Sequence, residues 1–528
     1  MRLLANGVSV KVTVSLLAAT CMATAAAAQL PPEARTVRAE VRAWRERNEV
    51  PIVRELVELL AIPNLATDSV NIRRNAEWLV RALERRGVAA RLLEVEGSPP
   101  AVFGSLDVPG ASRTIVLYAH YDGQPVDTSE WTSHPWRPVL RSGPLDRSPR
   151  ELPLVPEGGR YDPEWRLFAR SAGDDKSPII AALAALDALR ESGRRPTVNL
   201  RFFLEGEEER GSQHLRAMLT RHAGLLRGAD AWVFLDGPVH QSRRHQLVLG
   251  VRGVAGFQIT VYGPNRALHS GHYGNWAPNP ALLLAHLVAS MRDPDGRILI
   301  DGFYSDVRPP GPAEREALRA FPDVDPVLRA ELGLAASEAG NAPNAERILL
   351  PALNVQGLSA GRTGALTTNA IQAEATASFD FRLVPEQTPA RLRELVVAHL
   401  ARQGYHVVTE EPDSATRSRY PRIARLVWRG GYPATRIALD HPAVRSLAAA
   451  IEPALDQPLL RLPTSGGSLP MHHFVEVLGA PLITFPIVNH DNSQHGPNEN
   501  LRLRNLWDGI ELLAVLLARL GAVWQPQS

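Results

Sequence analysis

The chain has a single cysteine among 528 residues, Cys21, and its formal charge balance is only +2. It also lacks any stripe of basic residues interleaved with aromatics, so neither charge nor pattern suggests a nucleic-acid surface. No internal repeat or low-complexity tract is present. The longest apolar stretch near the N-terminus, residues 12–19, is too short to span a bilayer as an anchor. Positive charge at Arg2 and Lys11 precedes that stretch, and Ala26-Ala27-Ala28 before Gln29 resembles a small-residue cleavage site. Residues 1–28 therefore read as an export signal. An uncleaved anchor and a lipoprotein are the other readings, and Thr20 before Cys21 fits the second poorly. Cleavage would leave a mature chain without cysteine: no disulfide can form, and any metal must be held by nitrogen and oxygen.

What is present is an ordinary globular composition, 45% apolar and 22% charged, in a chain long enough for two domains. Arginine far outnumbers lysine, which carries no functional weight. Helical spacing over residues 33–86 is followed by four short apolar runs of the buried-strand type: 114–119 (TIVLYA), 198–204 (VNLRFFL), 231–235 (AWVFL) and 481–488 (PLITFPIV). A helical pattern at 179–188 separates the first two, which predicts an α/β sheet, largely parallel. Between residues 254 and 433 the pattern changes. Alternating segments at 257–261 and 373–383 are separated by helical ones at 280–291 and 389–403, which predicts an inserted α+β domain. Stretches at 309–312 and 412–433, rich in Pro, Gly and Arg, read as loops. The domain reading is thus 29–253 and 434–528 for the catalytic domain, with 254–433 inserted.

Each apolar run ends in ionisable residues, and in open α/β sheets ligands bind beyond the carboxyl ends of the strands. His120 and Asp122, two apart on an extended chain, project to one side, so the imidazole can bind a metal while the carboxylate orients it. Asp174 and Asp175 precede a helix; a carboxylate there is either a helix cap or a bridge between two metals. Glu205, Glu207, Glu208 and Glu209 crowd four carboxylates into five residues, either a solvated acidic loop or a site in which one Glu binds metal and its neighbour acts as base. Asp236 and His495 follow the last two runs. Together His120, Asp174, Glu209, Asp236 and His495 form a carboxylate-rich donor set suited to two divalent ions, zinc first, with manganese or cobalt as alternatives.

These segments, with YAHYDGQPVD (118–127), ARSAGDDKSP (169–178), FLEGEEERGS (203–212), FLDGP (234–238), LHSGHYGN (268–275), FDFRLVPEQTP (379–389) and QHGPNEN (494–500), resemble the M20 metallopeptidases. That family includes carnosine-type dipeptidases, glutamate-type carboxypeptidases and N-acyl-amino-acid deacylases. The resemblance implies a dinuclear hydrolase domain with an inserted lid that also dimerises. It assigns His120 and Asp236 to one metal, Glu209 and His495 to the other, and Asp174 to both. It implies that Asp122 orients His120, that Glu208 is the general base, and that His269 reaches the scissile carbonyl across a dimer. Arg382 matches a carboxylate-binding arginine, while Asn354 and Ser468 fall at substrate-contacting positions. The expected substrate is a small peptide or an N-acyl amino acid, with no nucleic-acid partner and no membrane association after signal cleavage. A catalytically silent peptide-binding dimer would lack the base or a ligand, and none is missing. Three features depart from the family pattern: small residues Ala169, Ser171 and Ser177 replace glycines, residues 359–369 lack a lysine, and residues 136–165 form a long loop that could shape or cover the pocket.

Overall fold

A computed structural model describes residues 32–524; the expected export signal lies outside them. Two helices, α1 (Pro32–Leu60) and α2 (Ser69–Glu84), occupy the first helical region. Eight strands then build the main sheet: β1 (Ala89–Leu93), β2 (Ala101–Leu106), β3 (Thr114–His120), β4 (Asn199–Glu205), β5 (Ala231–Phe234), β6 (Gln246–Val248), β7 (Leu460–Leu462) and β8 (Leu482–Thr484). Their order is β1-β2-β4-β3-β5-β8-β6-β7. The sheet is mixed. Its four central strands β4-β3-β5-β8 are parallel, while β1, β2 and β6 enter through antiparallel pairings.

The central strands are apolar throughout because both faces are covered. Ile115, Leu117, Ala119, Leu200, Phe202, Val233 and Leu235 pack against a layer that includes α1, α3 (Lys176–Glu191) and α4 (Leu503–Arg519). The alternate residues Val116, Tyr118, Phe203, Trp232 and Phe234 face a second cluster with Met218 and Phe474. In that cluster Tyr118 stacks on Phe234 at 4.1 Å, and Phe474 meets Trp232 at 5.0 Å. Parallel pairing in register places the last residues of β3, β4 and β5 at one edge: His120 pairs with Glu205, and Tyr118 is in register with both Phe203 and Phe234.

A second, five-stranded sheet is made by Gly253–Tyr262, Ala352–Ser359, Glu374–Leu383, His406–Val408 and Ile423–Tyr432, with Gly253–Tyr262 at its centre. Helices Pro280–Met291 and Pro389–Arg402 supply its apolar cover, and Phe257 stacks on Phe379 at 4.7 Å. The loop reading of 412–433 is corrected: it holds helix Ser414–Arg419 and strand Ile423–Tyr432. Pro and Gly at its ends obscure an inner alternation in which Ile423, Ala424 and Leu426 are buried and Arg425 pairs with Glu411. Residues 309–311 do lie in a loop, but Pro312 opens helix Pro312–Arg319. Residues 136–165 are not one loop either. Val139–Arg141 and Glu151–Leu152 join Arg166–Phe168 and Asn500–Arg502 in a small four-stranded sheet, from strands too short to show a period.

Trp232 is fully buried beneath the edge that carries the ionisable residues. Trp232→Ala is expected to destabilise the protein by about 3–5 kcal/mol, read as a lower urea midpoint; an unchanged midpoint would contradict this packing.

Candidate metal centre

The edge described above delivers His120 from the end of β3 and Asp236 two residues after β5. A single tight turn after β4, Glu208–Arg210, carries Glu208 and Glu209. Asp174 sits in the turn before α3, and His495 in the loop after β8, where its backbone takes a left-handed conformation (φ 63°). Asp174 is the meeting point. His120 Nε2 lies 2.8 Å from its Oδ1, and His495 Nε2 lies 3.3 Å from its Oδ2 and 3.3 Å from Glu209 Oε2. Two donor groups result, His120–Asp174–Asp236 and Asp174–Glu209–His495, with ligand atoms within 4.8 Å of one another in each.

Asp122 is fully buried, and its Oδ1 is 3.4 Å from His120 Nδ1. It also accepts the backbone N–H of Glu208 (3.1 Å) and of Glu209 (3.0 Å), so one carboxylate steadies the imidazole and the turn bearing both glutamates. Glu208 Oε2 stands 4.0 Å from His120 Nε2, outside both donor groups.

Burial, then the charges of its carboxylate neighbours, pushes Glu209 up to about 8 and Asp236 up to about 6, and raises Glu208 well above the usual carboxylate range. Burial alone would depress the His120 imidazole, but Asp122 and Asp174 overcome it and hold it well above its ordinary value. Burial opposes the charge on Asp174 too, yet contacts with His120 and His495 hold its carboxyl below the usual range. This is a cluster with more negative charge than two histidines can balance, built of nitrogen and oxygen donors only. It fits two divalent cations by number and type of ligand. Two amides also contact the carboxylates: Gln494 Nε2 donates to Asp174 Oδ2 (2.5 Å) and Gln124 Nε2 to Glu209 Oε2 (2.7 Å).

The centre opens into a cleft of about 710 Å³ whose walls include Glu208, Tyr432, Arg382 and Ser468. Arg382 Nη1 donates to Ser468 Oγ (2.9 Å) and its Nε to Asp380 Oδ2 (3.0 Å). Asn354 joins only through Asp380 (3.3 Å) and does not line the cleft. Nor does His269, which is exposed on the short strand Leu268–His269 and accepts the N–H of Gly271. Residues 136–165 are absent from the cleft walls as well. Sequence spacing gave no role to Gln124, Gln494, Tyr432 or Glu499; their part is visible only in the contacts. A third donor group, His472, His473 and Glu476, lies at the start of the short helix His472–Leu478. Arg216 holds its carboxylate at 2.7 Å, and both that charge and the helix end disfavour a cation there.

Residues 116–519 match peptidase family M20/M25/M40. The chain belongs to this family. It is 26% identical over 435 residues to the Cys-Gly metallodipeptidase dug1 of Schizosaccharomyces pombe, covering 80% of this chain and 83% of that one. To the Beta-Ala-His dipeptidase of Homo sapiens it is 23% identical over 436 residues, covering 80% and 78%. Among solved structures, the M20 family metallo-carboxypeptidase Sso-CP2 from Sulfolobus solfataricus aligns with a TM-score of 0.70 at 27% identity, over 89% of this chain and 99% of that one. Human carnosine dipeptidase 1 shares the two-domain fold, with a TM-score of 0.69 at 21% identity over 92% and 99%. This M20 peptidase is accordingly a hydrolase of peptide bonds.

Without cations the M20 centre must take up protons to fold. Glu209 and Asp236 titrate higher in the folded state than the ordinary value of about 4 for carboxylates in an unfolded chain. The folded state then binds more protons than the unfolded one, and stability falls as pH rises from about 4 to 8. His120, also raised, acts in the same direction, whereas the depressed Asp174 matters only at more acid pH. Chelator-treated protein should therefore lose Tm between about pH 5 and 8, and zinc should flatten the dependence. A Tm that climbs over this range in the stripped protein would contradict the charge balance.

Proposed function

We propose that this M20 peptidase is an exported dinuclear-metal exopeptidase, a dipeptidase or carboxypeptidase, that cleaves an amide bond near a free carboxylate. The observation that carries the reading is Asp174, common to two donor groups in a cleft whose walls include Arg382. His120 and Asp236 would hold one ion, Glu209 and His495 the other, and Asp174 both; zinc is the first choice, manganese or cobalt the alternatives. When bound, such a pair supplies the Lewis acidity that brings water within reach of deprotonation near neutral pH. Glu208 takes the proton and passes it to the leaving nitrogen. It stands at the centre without belonging to either donor group, as a base that must also act as an acid has to. Arg382, backed by Asp380 and aligned by Ser468, grips the substrate carboxylate through a forked pair of hydrogen bonds. Asn354 acts on that arginine through Asp380.

His269 does not line the cleft of its own chain, and we assign it to the cleft of a second copy, where it donates to the scissile carbonyl oxygen. Support for a homodimer comes from the same part of the chain, where Trp276, Leu282, Leu358 and Leu366 are exposed. Export rests on residues 1–28, and the mature chain is expected to begin at Gln29 by intact mass.

Three measurements check this reading. Glu208→Gln is expected to keep about two metal ions while losing about 10²- to 10⁴-fold in kcat; full activity would remove Glu208 as base, and loss of metal would exchange its role with that of Glu209. A panel of dipeptides beside N-acetylated amino acids should favour the dipeptides; the opposite ranking would make the enzyme an N-acyl-amino-acid amidohydrolase. Mixing inactive Glu208→Gln and His269→Ala subunits should restore activity, and no recovery despite proven mixing would return His269 to another role.

A further inference from the structure

Glu499 is fully buried, four residues after His495, and nothing in the mechanism above uses it. Its carboxylate accepts four hydrogen bonds, all from the turn that carries Asp174. Oε1 takes the N–H groups of Gly173 (2.8 Å) and of Asp174 itself (2.8 Å). Oε2 takes the N–H of Ser171 (2.9 Å) and Arg170 Nη1 (2.9 Å). The Glu499 carbonyl further accepts the N–H of Ala169 (3.1 Å). Ser171 adopts a left-handed backbone (φ 63°), in the kind of turn that turns successive amides toward one anion. A buried carboxylate is expensive unless paired and hydrogen-bonded, and here every donor belongs to one short segment. The two segments are also in close contact at Gly173, where a Cβ would lie 2.9 Å from Asn492 Nδ2.

We propose that Glu499 is a positioning residue for the shared carboxylate of Asp174, and through it for both cations at once. The inference rests on the reading of Asp174 as the common ligand. Because Glu499 and His495 lie on one loop, the bonds to residues 170–174 fix the spacing between the common ligand and a ligand of the second ion. A neutral side chain of the same shape cannot do this. The amide of a glutamine would point an N–H₂ group at backbone N–H donors and leave at least one of them unpaired. Loss of such an outer partner typically weakens metal binding about 10- to 100-fold.

The test compares wild type, Glu499→Gln and Glu499→Asp as full-length mature proteins. Zinc affinity is measured by competition with a chelator, alongside the Tm of the metal-free forms and kcat and KM on one dipeptide. Glu499→Gln is expected to bind zinc about 10- to 100-fold more weakly, to lose kcat at limiting zinc and regain it at high zinc, and to keep its KM. Glu499→Asp, which retains the charge on a shorter arm, should fall between the two and serves if the glutamine variant does not fold. A variant that loses Tm but holds zinc as tightly as wild type when folded would make Glu499 merely structural and overturn the proposal. A kcat loss that zinc does not restore would overturn it too. If wild type itself holds no pair of ions, the dinuclear reading fails and takes this inference with it; two ions in wild type and equal affinity in both variants would sink this inference alone.

Discussion

Buried carboxylates repel one another, and a fold that gathers Asp122, Asp174, Glu208, Glu209 and Asp236 at the edge of one sheet must hold them against that repulsion. It does so with backbone more than with side chains. The amides of Glu208 and Glu209 fasten to Asp122, and the amides of Ser171, Gly173 and Asp174 fasten to Glu499. Both anchors are fully buried, so neither exchanges these bonds for water. The four parallel central strands supply the rigid base, because their side chains alternate between two apolar layers and leave the strand ends no freedom to withdraw.

The remainder of the molecule serves this centre at a distance. The second sheet contributes Arg382, and its guanidinium is set by Asp380 on the same strand and by Ser468 on the segment that returns to the main sheet. The hydrogen bond from Arg382 to Ser468 therefore joins the two halves of the cleft. The short sheet made by residues 139–141, 151–152, 166–168 and 500–502 acts from the other side. Its strand Asn500–Arg502 begins directly after Glu499, so the segment that departs from the family pattern packs behind the loop that carries His495 and Glu499.

Much of this was legible from residue order. The buried strands announced themselves as apolar runs because both of their faces are covered, and each ended in the residues that now converge. Helices at 280–291 and 389–402 followed from their spacing, and both begin with the Pro after an Asn or Thr cap that the sequence displays. Errors fell where the local signal was weak or misleading. Prolines and glycines around 412–433 hid the strand Ile423–Tyr432, whose burial depends on its neighbour Gly253–Tyr262. Strands of two or three residues between 139 and 168 carry no period at all, and only their pairing with one another and, at 166–168, with residues 500–502 defines them.

By itself the sequence determined the donor types, since the single cysteine, Cys21, stands far from every ligand-bearing segment, and it determined which strand ends would carry them. The separate duties proposed for Glu208 and Glu209, Asp122 and Asp174 follow the family resemblance. Only the tertiary structure decided that Asp174 stands between two histidines 375 positions apart, His120 and His495, and that Glu499 holds its backbone in place. Hydrogen bonds between segments so distant leave no trace in local composition; they exist once the sheet has folded and its ends have met.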